Sequence, residues 1–231
     1  MKTILKIIIA LLCAIVVAVS LRSCAVSSYA VPSTGMESTL YQGEHIFVNK
    51  WSYGLRLPFM GLWGYHRIAG EQARSGDIIV FNNPAQTDKS VSSRDVFIGR
   101  CMAAPGETLY LDDKFYVSKT RLSNDTLLRP IAVPRKGMKI RVEPWNITLL
   151  LNTLVMHEHR KAEIKNGVLY VNGKETQECT FNKDYYWVTS DNWNNVSDSR
   201  LFGFVPEDHL IGRAGRIWFT RKEGRLWTKV Q

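Results

Sequence analysis

Asn166-Gly167-Val168-Leu169-Tyr170-Val171-Asn172-Gly173 is the stretch whose reading decides the fold class. Asn-Gly is the favoured centre of a two-residue hairpin turn because both positions tolerate positive φ. Two such turns bracketing a short run of β-formers predict a hairpin. Outward from it the same pattern recurs, with short alternating apolar and polar runs between turn residues. His45–Lys50, Asp77–Phe81, Asp95–Cys101, Thr108–Leu111, Val168–Val171, Tyr185–Thr189 and Arg216–Thr220 all read as strands. Gly76-Asp77 and Pro105-Gly106 punctuate them. Only Ile147–Lys161 reads as a helix, with Ile147, Leu150, Leu151, Leu154 and Val155 at helical spacing and core packing as their role. The class is mainly β and antiparallel.

Composition narrows the function classes. Among 231 residues, 45% are hydrophobic and 22% charged, an ordinary globular balance that excludes a disordered chain. Thirty Lys plus Arg against 21 Asp plus Glu gives +9, a surplus suited to nucleic acid or to an anionic membrane surface. Cys13, Cys24, Cys101 and Cys179 share no metal-ligand spacing, so no zinc site, other metal or organic cofactor is implied. A Cys101–Cys179 disulfide and two separate thiols both stay open at this point.

The N-terminus separates the two uses of the charge. From Ile4 to Leu21 every residue except Lys6 and Ser20 is apolar, a run of roughly 27 Å as a helix, close to a bilayer core. Lys2, Lys6 and the terminal amine precede it and Arg22 alone follows, which orients the N-terminus to the cytoplasm. The reading is an anchor over residues 1–24 in the inner (cytoplasmic) membrane, with residues 25–231 exported to the outer, periplasmic side. A cleaved signal peptide ending at Ser28-Tyr29-Ala30 is the alternative, and Arg22 argues against a lipoprotein at Cys24. Export makes nucleic acid a poor partner, leaving membrane lipid or a merely solvated surface for the basic surplus. The aromatic segment Lys50–Tyr65 fits either a membrane interface or a β core.

Four stretches in order carry a resemblance. They are residues 31–40 (VPSTGMESTL), 75–81 (SGDIIVF), 98–107 (IGRCMAAPGE) and 190–203 (SDNWNNVSDSRLFG). Together with the anchor they resemble the type I signal peptidases, membrane-anchored serine–lysine endopeptidases whose blocks run PSxSMxPTL, GDIVVF, KRVxGLPGD and GDNRxNSxDSRxxG. The resemblance implies a signal-peptidase-like antiparallel β body with an inserted lobe at about 112–184, preceded by one transmembrane helix.

The chemistry it implies needs a serine nucleophile, a neutral lysine to take its proton, and an oxyanion hole. Aligned on these blocks, Gly35 stands at the nucleophile position, Gly99 at the lysine position, and Val196 at the serine that partners the lysine. Ser33 matches the oxyanion-hole hydroxyl, while Met36, Arg100, Asp191, Asn192, Asp198, Ser199 and Arg200 match the framework of the site. Glycine neither attacks nor accepts a proton. Arg100 is no base, since a guanidinium keeps its proton. Three readings follow. One is a catalytically impaired homologue that binds signal peptides or an export partner. Another is an active peptidase cutting after A-x-A with a relocated pair, Ser33 (with Thr34 or Ser38 as other hydroxyls) and His45 first. The third is a scaffold that assembles with an intact paralogue and binds no peptide. His66, His157, His159 and His209 are candidates by residue type alone and read as surface histidines.

Overall fold

The structure, a computed structural model, describes residues 6, 7, 9, 11, 26–56, 67–68, 70–112, 114–115, 128–195 and 197–231. The anchor expected over 1–24 lies outside them except for Lys6, Ile7, Ile9 and Leu11, which are helical and exposed. Among the described residues no helix is long and apolar enough to cross a membrane. Most of the aromatic segment also lies outside them. Of its flanks, Tyr53 is buried and Trp51 is half exposed.

The body starts with β1 (Val26–Ala30) and β2 (His45–Asn49), then the short pair β3 (Leu55–Arg56) and β4 (Arg67–Ile68), then β5 (Ile78–Asn82) and β6 (Val96–Ala103). Next come β7 (Thr108–Leu111), β8 (Arg129–Ala132), β9 (Lys139–Arg141) and α1 (Ile147–Met156). Then follow β10 (Ala162–Lys165), β11 (Val168–Val171), β12 (Lys174–Glu175) and β13 (Glu178–Thr180). The chain returns through β14 (Tyr185–Thr189), the single turn α2 (Ser199–Phe202), β15 (Val205–Pro206) and the long β16 (Leu210–Phe219). Seven strands form one antiparallel sheet in the order β1-β2-β16-β5-β6-β14-β15.

This sheet carries apolar cores on both faces, which is why β5 is buried at all five positions. Successive strand side chains point to opposite faces. Ile78 and Val80 therefore join Met36, Leu40, Ile46, Val48 and Ile217, while Ile79 and Phe81 join Tyr53, Cys101, Tyr186, Val188 and Phe202. A third cluster, built around Leu150, Leu154, Phe181, Tyr185 and Trp187, joins α1 and strands β7 through β11 to the end of the sheet at β14. Cys101 and Cys179 sit in different clusters as free, buried thiols. Burial raises their pKa to about 12 and about 11.

The two Asn-Gly turns link β10, β11 and β12 into a meander. Asn166, Gly167, Asn172 and Gly173 have φ of 50°, 78°, 52° and 79°, the paired positive values of type I′ turns. The helix ends at Met156, five residues before the expected Lys161. His159 takes a positive φ of 53°, and the chain then enters β10, because the first Asn-Gly turn needs a strand on both sides. The buried face of α1 includes Leu149 and Thr153, and Val155 is exposed.

Candidate active site

The site is built where one tight turn meets the end of β14. Ser33 is extended, and its Oγ accepts the Gly35 N–H at 3.3 Å, capping a 3-10 turn over Thr34–Met36 that packs against β6. Met36 anchors the turn from below, buried in the core. Asn192 holds it from above: its backbone N–H donates to the Gly35 carbonyl at 2.9 Å and its Nδ2 to the Thr34 carbonyl at 3.1 Å.

The neighbouring framework is charged and closely paired. Arg100 Nε and Nη2 donate to the two carboxylate oxygens of Asp191, each at 2.8 Å, and Thr39 Oγ1 donates to the same carboxylate. These bonds push the Arg100 pKa up further, so it is a structural cation. Asp198 caps α2 through the Arg200 N–H, accepts the Ser190 N–H at 2.7 Å and forms a buried ion pair with Arg200 at 2.6 Å. Arg200 also reaches the carbonyls of Trp193 and Asn195, which pins the loop between β14 and α2. Ser199 Oγ accepts the Val188 N–H at 2.9 Å.

The two glycines of the expected dyad differ in what surrounds them. A Cβ on residue 35 would lie 3.3 Å from Ser190 Oγ and 3.4 Å from both Asn195 Nδ2 and Ser33 Oγ. A Cβ on residue 99, in the middle of β6, would lie 2.5 Å from Val188 Cγ1 and 3.2 Å from the Thr189 carbonyl oxygen. Apolar bulk occupies the side-chain space at Gly99, and polar atoms surround it at Gly35. Val196 lies outside the described residues. Val188, Ser190 and Asn195 were not singled out from the sequence. The one available signal was Ser190 itself, which stands where the family block begins with glycine.

The histidines do not complete a proton relay here. His45 packs edge-on against Trp218 and Phe219, with ring centroids 5.5 and 5.3 Å away. His157 and His209 are buried, contrary to the surface reading, because a charged network surrounds them. His209 Nδ1 lies 2.7 Å from Asp208 Oδ1, its Nε2 faces Arg94 Nη1 at 2.8 Å, and Lys183 Nζ meets Asp208 Oδ2 at 2.7 Å. Arginine can only donate, so Nε2 accepts and Nδ1 carries the proton, a neutral ring. His157 packs 5.7 Å from His209, and burial with that neighbour lowers its pKa to about 3. His159 is exposed, and His66 lies outside the described residues. Among the described residues no histidine hydrogen-bonds to Ser33, Thr34 or Ser38, and no cluster of His, Cys, Asp or Glu could hold a metal.

Comparison with known proteins places this geometry. Residues 4–219 match the family model described as signal peptidase, peptidase S26. Signal peptidase I of Haemophilus influenzae is 28% identical across 89% of this chain and 67% of its own length. Signal peptidase I of Pseudomonas aeruginosa is 26% identical across 89% and 69%, and that of Helicobacter pylori strain J99 is 24% identical across 84% and 74%. With a match that spans nearly the whole body and both edges of the site, this chain belongs to the signal peptidase family, peptidase S26.

Proposed function

We propose that this chain is a membrane-anchored, signal-peptidase-like protein of the secretory pathway that binds the cleavage region of signal peptides, or an export partner, with its peptide-bond chemistry impaired. The observation that carries this reading is at Gly99, where Val188 Cγ1 stands 2.5 Å from the place of a Cβ. No lysine side chain enters that space as it is packed. At Gly35 the attacking hydroxyl is absent, while the surrounding grip on the turn by Asn192, and by the Arg100–Asp191 pair beside it, is intact. The resemblance to the family implies that an extended chain pairs with strands beside this turn, and main-chain hydrogen bonds of that kind do not need the dyad.

Membrane lipid is the second partner of this reading. Val26, Trp51, Phe219, Leu226 and Trp227 are exposed large apolar residues, and Val26, Phe47, Trp51 and Arg216 line one shallow groove on the β1–β2–β16 side. Aromatic rings with a basic residue suit a headgroup boundary. β1 begins at Val26, five residues past Leu21 where the apolar run ends, which keeps this side close to the bilayer if residues 1–24 anchor the chain.

The test uses the full chain in detergent micelles with a labelled precursor carrying an A-x-A cleavage region. The expected result is saturable binding, with cleavage no greater than the roughly 10³–10⁴-fold over water that a site without its catalytic side chains retains. Cleavage at the rate of an intact serine–lysine enzyme overturns the impaired reading. Absence of binding favours the scaffold, assembled with an intact paralogue.

A further inference from the structure

Three polar side chains converge on Gly35, and two of them have no partner that accounts for their being there. Ser33 Oγ accepts the Gly35 N–H and keeps its own proton to donate. Ser190 makes a backbone bond to Asp198, but its hydroxyl hydrogen-bonds to none of the described residues. Asn195 uses Oδ1 to accept the Ser197 N–H, leaving Nδ2 with two protons and no partner among the described residues. All three lie within 3.4 Å of the point where a residue 35 side chain would start. Ser33 is exposed, and Ser190 and Asn195 are half-buried, so solvent reaches the niche. Among the described residues neither the Asp191 nor the Asp198 carboxylate takes these side-chain protons; the two pair with Arg100 and Arg200.

The hydroxyl oxygens can also accept, but among the described residues none of these three side chains is hydrogen-bonded to another, so their protons are available to an oxygen that enters from solvent. We infer that Ser190 and Asn195, with Ser33, form a donor niche over Gly35 that holds a main-chain carbonyl oxygen of a bound extended peptide without attacking it. This rests on the peptide-binding reading above and deepens it, since the family resemblance assigns the oxyanion role to a backbone N–H and, among side chains, to Ser33 alone. The niche exists because residue 35 is glycine. A side chain at 35, even the family's serine, would fill the space the carbonyl enters. Ser190 therefore holds the substrate where the family's serine would attack it.

The experiment measures binding of a fluorescein-labelled A-x-A peptide to the full chain in detergent micelles, by anisotropy. A reduced-amide version of the peptide, with CH2 in place of the carbonyl after the second alanine, runs in parallel. The expected result is a loss of about fivefold in affinity for Ser190→Gly and for Asn195→Ala, the scale of one neutral hydrogen bond each. The reduced peptide loses a similar factor on the native chain and little on Ser190→Gly. Gly35→Ala weakens binding at least as much, and adding Ser190→Gly to it changes little further. Ser190→Gly restores the residue of the family block, so its fold is not in question, and circular dichroism checks the others. Native affinity in both Ser190→Gly and Gly35→Ala overturns the niche while leaving peptide binding intact. No binding by the native chain overturns the peptide-binding reading itself and the niche with it. An acyl adduct on Ser190 in mass spectrometry also overturns the inference, since the hydroxyl would then be attacking.

Discussion

Gly99→Lys is the change that a family comparison invites, and the packing of Val188 predicts that it fails alone. A Cβ at 99 stands 2.5 Å from Val188 Cγ1. Carbon pairs rest at about 3.5–4.0 Å, so the first atom of any side chain overlaps the methyl by about 1 Å. Val188 is completely buried among Phe81, Cys101, Tyr186 and Phe202, and its branched Cβ restricts χ1. Overpacking of this kind costs roughly 1–3 kcal/mol, against about 0.4–1 kcal/mol recovered by removing a glycine from the unfolded chain. Gly99→Ala is therefore predicted to destabilise by about 1–2 kcal/mol, lowering Tm by roughly 2–8 °C for a chain of this size. Val188→Ala alone costs about 1.6 kcal/mol for two buried methyls, plus any cavity. Combined, the new methyl at 99 occupies the space vacated at 188, and the double variant should exceed additivity by about 1–3 kcal/mol. The functional counterpart follows. Gly35→Ser/Gly99→Lys/Val196→Ser stays inactive, and adding Val188→Ala together with Ser190→Gly, which relieves the crowding at 35, produces precursor cleavage. Thermal unfolding of the solubilised chain and a precursor gel assay measure the two halves. Additivity within about 0.5 kcal/mol, or full cleavage by the triple variant with Val188 in place, refutes the packing argument.

Two further predictions concern buried charge. Arg200→Ala leaves the Asp198 carboxylate buried without its ion pair and should cost about 3–5 kcal/mol, read as a fall in the urea midpoint. Lysine at 200 should rescue only part, since it cannot span Asp198 and two carbonyls at once. The His157–His209–Asp208 network should make the chain acid-labile. His157 is held neutral by burial, with a pKa of about 3 against about 6.5 unfolded. Below about pH 6.5 the unfolded chain takes up a proton that the folded chain refuses, so stability falls as pH falls, by up to about 1.36 kcal/mol per unit. His209 is lowered in the same sense, chiefly by burial. Burial raises the Asp208 carboxyl, but His209 and Lys183 outweigh it and hold the carboxyl well below its ordinary value. Its contribution is present above about pH 4 and is lost below that. The unfolding midpoint should drop between pH 6 and 4, and His157→Phe should flatten that drop. An unchanged slope in that variant contradicts the assignment.

What the sequence made legible was whatever local chemistry dictates. Asn166-Gly167 and Asn172-Gly173 admit only the tight turns found, and the alternation in β2 and β6 follows from one residue in two facing a core, whereas β5 and β14 are apolar runs because both of their faces are covered. β10 escaped notice because Ala162–Lys165 is only four residues long and has a single large apolar side chain, Ile164, between the exposed Glu163 and Lys165. The first half of β16 escaped because Gly212 and Gly215 interrupt its alternation. A Cβ at 212 would lie 2.4 Å from the Asn49 carbonyl oxygen, so that glycine marks a close approach between strands. His157 and His209 were misplaced for a different reason. Their burial depends on Arg94, Lys183 and Asp208 arriving from separate segments, which no local pattern reveals.

The same distinction governs the site. Gly35 and Gly99 are visible as departures from the family blocks, but Val188 in β14 and Ser190 just after it, which face them, come about ninety residues or more further along. Val188 and Ser190 are two residues apart at the end of that strand, so they lean to the same side of the extended chain. Their placements call for different explanations. Val188 over Gly99 is sufficient as packing: an empty lysine channel would be a cavity, and a buried methyl removes its cost. Packing does not explain Ser190. An apolar side chain would cover the turn at Gly35 as well, and a half-buried hydroxyl without a described partner gains nothing for the folded state. A stability-driven refilling predicts valine or alanine at both places. A hydroxyl at only the position where a substrate carbonyl would rest, with the Asn195 amide beside it, is accounted for by a ligand that supplies the missing acceptor.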